Sequence, residues 1–333
     1  MFSQATKLQR VSTPLVLEDQ QCCLCNSSDA DLIGAGEDFE YRTSSDVFEV
    51  LRCRRCELVY LKQRPALSEL DRIYPATYHA YQFNEAEFGF IHKVRRQLEA
   101  RRLLAFCQGL PPSARILDVG CGDGFHLALL RDFGQPAWTL QGIDASQRAV
   151  AAAAQAGLTV HLGTVEQTSL PAASYDLAIL IATIEHVADP VGVLKAVRAL
   201  LKPGGRAVIV TDSTSTLDFR LTHKRVWGGY HFPRHWNLFN RKSLQLLAKA
   251  AGMEVVSIDS VMSPVNWVYS IRNWLVDHRY PSWLVEQFSL KAPLSLAAFT
   301  LVDTLFHLAG HGALLRLTVT NPGTVSPLHQ FLL

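Results

Sequence analysis

The middle of the chain alternates short apolar runs with stretches of helical spacing. Ala114 to Val119 is apolar except at Arg115 and Asp118, and it reads as a buried parallel strand. Phe125 to Phe133 follows with helical periodicity. Further strands are predicted at Trp138 to Ile143, about Thr159 to Leu162, Tyr175 to Ile181, Arg206 to Thr211, Val255 to Val261 and Leu314 to Thr320. Between them lie an alanine-rich helix, Ala149 to Ala156, and a helix opened by Asp189-Pro190, where proline tolerates a missing amide hydrogen. Leu244 to Ala251 reads as an amphipathic helix closed by Gly252. Leu201-Lys202-Pro203-Gly204-Gly205 reads as a turn ahead of the fifth strand. Upstream, Ile91, Val94, Leu98, Leu103 and Leu104 predict a connecting helix over 89–112, with its arginines on a solvated face. Gly109 and Pro111-Pro112 end it.

Three glycines spaced two apart, Gly120, Gly122 and Gly124, separate the first strand from its helix. Strand, glycine turn and helix is how an open α/β sheet opens a nucleotide pocket. A Cβ in that turn would keep the backbone away from a ligand. The spacing is not the GxGxxG of dinucleotide binders, so a pyrophosphate cradle is disfavoured. Asp118 adds a carboxylate at the strand end, which suits an ammonium and not a phosphate. Asp144, 20 residues after Gly124, ends the second strand where a carboxylate can accept ribose hydroxyls.

The stretch Ile116-Leu117-Asp118-Val119-Gly120-Cys121-Gly122-Asp123-Gly124 resembles the first motif of class I S-adenosylmethionine-dependent methyltransferases. The resemblance continues through Asp144, Tyr175-Asp176 and Leu201 to Gly205, to about Val210. It implies a Rossmann-like, seven-stranded α/β sheet over 113–333 and S-adenosylmethionine as cofactor. It places cofactor contacts at Asp118, Gly120, Cys121, Gly122, Gly124, Asp144, Ala145, Thr164, Val165 and Ile181. Thr164 stands where many relatives carry an acidic residue, which leaves the Val165 backbone to recognise the adenine. His186, in Ala182-Thr183-Ile184-Glu185-His186-Val187, falls where the family faces the methyl donor; it is a candidate general base or a pocket-shaping residue.

Residues 1–88 form a cysteine module. Cys22-Cys23-Leu24-Cys25 and Cys53-Arg54-Arg55-Cys56 are two CxxC pairs separated by 27 residues. Two such knuckles make a closed tetrahedral zinc site, here from Cys22, Cys25, Cys53 and Cys56, with Cys23 as a substitute for Cys22; the alternatives are four buried or free thiols, or redox chemistry. A closed site is structural and not catalytic. Phe39 to Leu51 alternates enough to be a strand pair between the knuckles. With the tyrosine-rich stretch Ile73 to Tyr81, this module resembles the amino-terminal zinc module of bacterial sugar C-methyltransferases. That resemblance makes Tyr78 or Tyr81 a donor to a substrate oxygen; the alternative is that both simply pack.

Residues 213–241 form a long polar and aromatic segment with Trp227, His231, Arg234, His235, Trp236 and Phe239. A loop of that length in a compact domain is usually functional or disordered, and aromatic density argues against disorder. In the sugar C-methyltransferases a Glu-His pair ahead of a Phe serves the acid–base step. His235 aligns with that histidine, but Arg234 replaces the glutamate. His235 is therefore a candidate general base or a lid residue, and Arg234 with His231 could hold a phosphate or carboxylate.

Residues 263–311 are an apolar helical insertion between the sixth and seventh strands. It covers the pocket, offers a face to a second copy in a homodimer, or lies on a membrane surface as an interfacial helix. The last would admit a lipid-linked acceptor. The net charge of +2 and the lack of a basic block argue against a nucleic-acid partner. Met1 to Asp19 lacks an apolar core region and does not read as a secretory signal. The seven cysteines then fit a cytoplasmic setting, in solution or at the inner face of a membrane. The expected acceptor is a small molecule: a sugar, a nucleotide-linked sugar or a lipid-linked glycan. An O-methylated natural product or quinone-like ring is the alternative, and an RNA acceptor a more distant one.

Overall fold

The computed structural model describes residues 13–75, 78 and 85–323. Tyr81 lies outside the described residues. The chain divides into two compact units: 1–78 with 213–240 and 262–313, and 79–212 with 241–261 and 314–333.

The second unit is built on a seven-stranded sheet. Its order is Glu254–Val261, Leu314–Thr320, Leu201–Asp212, Tyr175–Ile181, Arg115–Val119, Thr139–Asp144, Val160–Leu162. Leu314–Thr320 runs antiparallel to both neighbours, and the pairs from Leu201–Asp212 outward to Val160–Leu162 are parallel. This is the Rossmann-like seven-stranded sheet expected from the sequence. Central strands are apolar on both faces because helices cover both. The helix Glu85–Phe106 is one cover: Ala100, Leu103 and Phe106 pack with Ile116, Leu177, Ile179, Val208 and Val210 in one buried cluster. The helix Phe125–Phe133 begins directly after Gly124, as read from its periodicity.

Leu201 to Gly205 form the expected turn, which lies inside the strand Leu201–Asp212. A Cβ on Gly205 would stand 2.9 Å from the Lys202 carbonyl oxygen, so the chain folds back over 202–205. Leu201 still pairs with Tyr175, and the register then slips before Arg206 resumes pairing with Leu177. Pro203 has no amide hydrogen for the ladder, and Gly204 takes a left-handed φ of 76°. Proline and glycine thus take the two central positions of the turn. The Asn321 side chain steadies it, donating to the carbonyls of Leu201 (2.9 Å) and Arg198 (3.2 Å).

The first unit carries a four-stranded antiparallel sheet in the order Asn237–Leu238, Val59–Leu61, Phe48–Cys53, Ala30–Gly36. The strand pair between the cysteine knuckles is therefore Ala30–Gly36 with Phe48–Cys53, and not Phe39 to Leu51. Residues 37–47 instead loop around one buried carboxylate, Asp38. It accepts from the amides of Glu40 (3.2 Å), Tyr41 (3.0 Å) and Thr43 (2.9 Å) and from the Thr43 hydroxyl (2.7 Å). A buried acid with that many donors fixes a loop where alternation alone suggested a strand.

The segment 213–240 belongs to this same unit and is ordered. It holds a short helix, Leu217–Thr222, and ends in the edge strand Asn237–Leu238, which pairs with Tyr60 and Val59. The insertion folds as helices Val265–Asp277, Ser282–Val285 and Pro293–Leu308. Trp267 stacks on Phe299 (6.0 Å) and Phe306 (6.1 Å), joining the two longer helices. No helix among the described residues is long and apolar enough to cross a membrane.

Candidate active site

In the sheet unit the glycine turn sits at the carboxyl end of the strand Arg115–Val119. Gly120, Gly122 and Gly124 all take left-handed φ values, 71°, 56° and 83°. The amides of Gly120 and Cys121 both donate to the Ile143 carbonyl, at 2.8 and 3.2 Å, so the turn is tied to the next strand. A Cβ on Gly120 would stand 2.5 Å from the Thr183 methyl, whereas one on Gly122 would meet nothing within 4 Å. Gly122 thus faces open space, and its missing side chain leaves room for a ligand.

Asp118 is 1% exposed, and its Oδ2 accepts no hydrogen bond. His126 Nδ1 is 3.8 Å from that oxygen. Burial, and then the charge of Asp144, push the Asp118 carboxyl up to about 8. An orphaned buried acid of this kind is an incomplete site; a cation placed against it would restore the ionised form. Asp144 is raised by burial, against the pull of two amides. Its oxygens accept from Gly122 N and Ser146 N, both at 2.8 Å. Each oxygen keeps a second lone pair, so the carboxylate can still accept from ligand hydroxyls.

The remaining expected contacts fall around these groups. Ala145 is exposed beside Asp144. The Gly163 amide donates to the Asp144 carbonyl at 2.9 Å, which brings Thr164, exposed, and Val165, buried, next to that strand end. Cys121 is buried, with its thiol pushed up by that burial. Ile181 ends the neighbouring strand, and the Thr183 hydroxyl donates to the carbonyls of Val119 (3.0 Å) and Ile181 (3.2 Å). Ala182 takes a left-handed φ of 51°, a strained value for a residue with a side chain. Glu185 is buried and accepts from the Thr211 hydroxyl at 2.9 Å; His186 beside it is half-buried. An orphaned acid, an open glycine and a carboxylate with spare lone pairs fit a ligand that carries an ammonium and a ribose.

In the other unit the four expected sulfurs meet. Cys22 and Cys56 lie 3.2 Å apart, Cys25 and Cys53 3.5 Å, Cys25 and Cys56 3.8 Å. All four lie within 4.8 Å of one another. Tetrahedral thiolates around zinc stand about 3.8 Å apart, given Zn–S bonds of about 2.3 Å. The donor set and its spacing therefore fit such an ion. Cys23 is outside the cluster; its thiol donates to Asn237 Oδ1 at 3.4 Å. Hydrogen bonding to Cys56 and burial push the Cys22 thiol up.

The histidine-rich segment lies in that same unit. His235 is 5% exposed, and its Nδ1 is 2.8 Å from the Gly229 carbonyl. A carbonyl only accepts, so Nδ1 carries the proton and Nε2 is the acceptor nitrogen of the neutral ring. Arg234 does not serve an external anion. It is fully buried, donating to Asp38 (3.1 Å), the Ile73 carbonyl (2.7 Å) and the Phe232 carbonyl (2.8 Å). Its guanidinium also lies 4.5 Å from the Tyr41 ring centre and 5.9 Å from that of Tyr78. Tyr78 is half-buried, packed edge-on to Tyr74, with its hydroxyl raised by burial.

Two residues here escaped the sequence reading. Glu40 places Oε1 2.5 Å from His231 Nδ1. Tyr269, from the insertion, packs 5.5 Å from the His231 ring, and His231 lies 4.7 Å from His235. No local pattern in the sequence pointed to either residue. The arrangement is a carboxylate–imidazole pair beside a second imidazole, a constellation suited to moving a proton.

A methyltransferase-domain family model matches residues 90–258. Over 169 residues the chain is 31% identical to a ubiquinone biosynthesis O-methyltransferase of Cereibacter sphaeroides, spanning 47% of this chain and 67% of that protein. An enzyme of the same name from Bordetella avium is 28% identical over 204 residues, 56% of this chain and 81% of that one. Among solved structures, the phosphoethanolamine N-methyltransferase 2 of Haemonchus contortus with S-adenosyl-L-methionine superposes with a TM-score of 0.51. It is 17% identical and covers 88% of this chain and 69% of that one, a likeness of fold. Residues 13–75 and 262–313 lie outside the family match.

Proposed function

The chain belongs to the S-adenosylmethionine-dependent methyltransferase family, and from that premise we propose that its acceptor is a small molecule with an ionisable hydroxyl or acidic carbon. A sugar, a nucleotide-linked sugar or a lipid-linked glycan is the first choice. The observation that carries this reading lies within one unit. The histidine-rich segment supplies the edge strand Asn237–Leu238 to the sheet that holds Cys53, so the cysteine cluster and the acid–base residues form one body. An added module of that kind is where acceptor recognition belongs, because the family match covers mainly the sheet unit.

Bound S-adenosylmethionine would supply a methyl made electrophilic by its sulfonium. The chain's own task is positioning and proton transfer. Asp118 would face the ligand's ammonium, Asp144 would accept ribose hydroxyls, and Gly122 would leave room for the ligand beside the backbone. His235, with Nε2 as acceptor, is the first candidate to take the acceptor's proton; Glu40 orients His231 beside it. His186 and Tyr78 are further candidates, the first as base and the second as donor to an acceptor oxygen. Zinc on Cys22, Cys25, Cys53 and Cys56 would tie the two knuckles together and take no part in the chemistry.

A second reading has its own support. The relatives named for ubiquinone biosynthesis at about 31% identity favour O-methylation of a quinone-like ring. One assay separates the two. Purified protein is incubated with labelled S-adenosylmethionine and a panel of nucleotide sugars, glycolipids, catechols and quinols, and products are read by mass. Methylated sugar supports the first reading. Methylated quinol with no sugar turnover would overturn it in favour of the second.

A further inference from the structure

The helix Pro293–Leu308 is turned inside out. Its one formally charged side chain, Asp303, is 1% exposed and accepts from the amides of Ser263 (2.8 Å) and Ala313 (3.1 Å). Its hydroxyls are spent on its own backbone: Thr300 donates to Leu296 O at 2.7 Å and Thr304 to Thr300 O at 2.6 Å. The outward side carries Leu294, Leu301, Leu305 and Leu308, exposed by 84, 72, 71 and 77%. The helix's other exposed positions are proline and alanine. A water-facing helix normally shows the reverse. An apolar stripe of this length on a protein surface marks a contact with something apolar.

We propose that this face docks on the surface of an anionic phospholipid bilayer, lying in the interface without crossing it. Two observations select lipid as the occupant. The segment leading into the helix exposes large aromatics, Trp283 at 66%, Tyr280 at 43% and Trp274 at 42%, the residue types that settle at headgroup depth. The exposed formal charge of the insertion is mainly cationic. Arg279 and Lys291 are exposed, whereas two of the three acids of the insertion are turned away from solvent: Asp303 is buried and Asp277 is held by Arg225 at 2.8 Å. Only Glu286 remains as an exposed acid there. Partial insertion of an apolar face with cations at its border is how interfacial helices hold anionic lipid. This inference concerns binding alone and does not depend on the acceptor proposed above.

The test is flotation of the full chain with phosphatidylcholine vesicles with and without phosphatidylglycerol. Sedimentation velocity of the same samples without lipid is run alongside. The protein is expected to float with the phosphatidylglycerol vesicles and to do so less at high salt. The double variant Leu301→Glu with Leu305→Glu is expected to lose about tenfold or more in vesicle affinity, while its melting temperature stays close to that of the parent. Lys291→Glu should weaken binding to the anionic vesicles only. Protein that stays at the bottom of the gradient overturns the proposal, as does a double variant that floats as the parent does. A parent that is dimeric in solution, ignores vesicles and becomes monomeric in the double variant assigns the face to a second copy instead.

Discussion

The Nδ1 of His231 and the Oε1 of Glu40 lie 2.5 Å apart, both largely shielded from water. Glu40 comes from the loop built around Asp38, and His231 sits in a left-handed turn with φ 40°. A carboxylate against one ring nitrogen orients the imidazole. If this pair serves the proton transfer, Glu40→Gln should lower kcat by about 10- to 100-fold. The affinity for S-adenosylmethionine, whose expected ligands lie in the other unit, should not change. Turnover and calorimetric titration on the same protein check it; an unchanged kcat would leave His235 acting without this pair.

Arg234 and Asp38 make a buried pair whose function is structural. Each is wrapped by further hydrogen bonds, so removing one partner strands the other in a dry site. Arg234→Met should cost about 3–5 kcal/mol in urea unfolding. Adding Asp38→Asn to it should recover part of that loss, because the uncompensated charge is gone. A single variant as stable as the parent would show the pair to be idle.

The four-sulfur cluster makes a prediction about metal. Protein purified without chelator should carry about one zinc per chain. A strong chelator should lower the melting temperature, because metal affinity becomes folding free energy in a site the unfolded chain lacks. Cys53→Ser should abolish zinc retention, whereas Cys23→Ser, outside the cluster, should keep it. Metal analysis and thermal melts decide.

The sheet was legible in the sequence because its strands are long enough to show their pattern. Tyr175–Ile181 is apolar from Leu177 to its end, and Leu314–Thr320 alternates up to Asn321-Pro322. Leu201 to Gly205 could be read as a turn because proline and glycine suit its central positions. The edge strand Asn237–Leu238 could not be read at all: two residues carry no periodicity, and its partner Val59–Tyr60 lies far away in the chain. Arg234 looked like a hand for a substrate anion because nothing in the sequence shows that Asp38 waits for it. For the same reason, Glu40 carried no local sign of its histidine.

Gly122 and Gly124 separate ligand space from packing space. Both have left-handed φ, so an alanine at either costs about 1–2 kcal/mol of backbone strain. At Gly122 the new Cβ enters open space, and Gly122→Ala should lose S-adenosylmethionine affinity with little further loss of stability. At Gly124 it would press on Leu158 and, at 3.3 Å, on Ala153, so Gly124→Ala should melt several degrees lower. Binding titrations and melting curves on the two variants should therefore move in different proportions.

Asp118 makes the last prediction, and its two halves have opposite signs. Its folded carboxyl sits near 8, above the value of about 3.9 for an unfolded aspartate. The folded state therefore holds a proton that the unfolded state releases between those values. The protein without ligand should lose stability as pH rises from about 4 to 8, with the loss complete above the folded value. Asp118→Asn removes that dependence and should raise the melting temperature at pH 8. A ligand ammonium favours the ionised carboxylate, so affinity for S-adenosylmethionine should rise as pH climbs from 6 toward 8. It should level or fall beyond, where an α-amino group of pKa about 7.7–8.0 gives up its own proton. The same Asp118→Asn substitution should weaken binding by more than about tenfold, the loss of a charge-assisted contact. A variant that is stabilised yet binds as tightly as the parent would show that Asp118 is merely buried and faces no ligand cation.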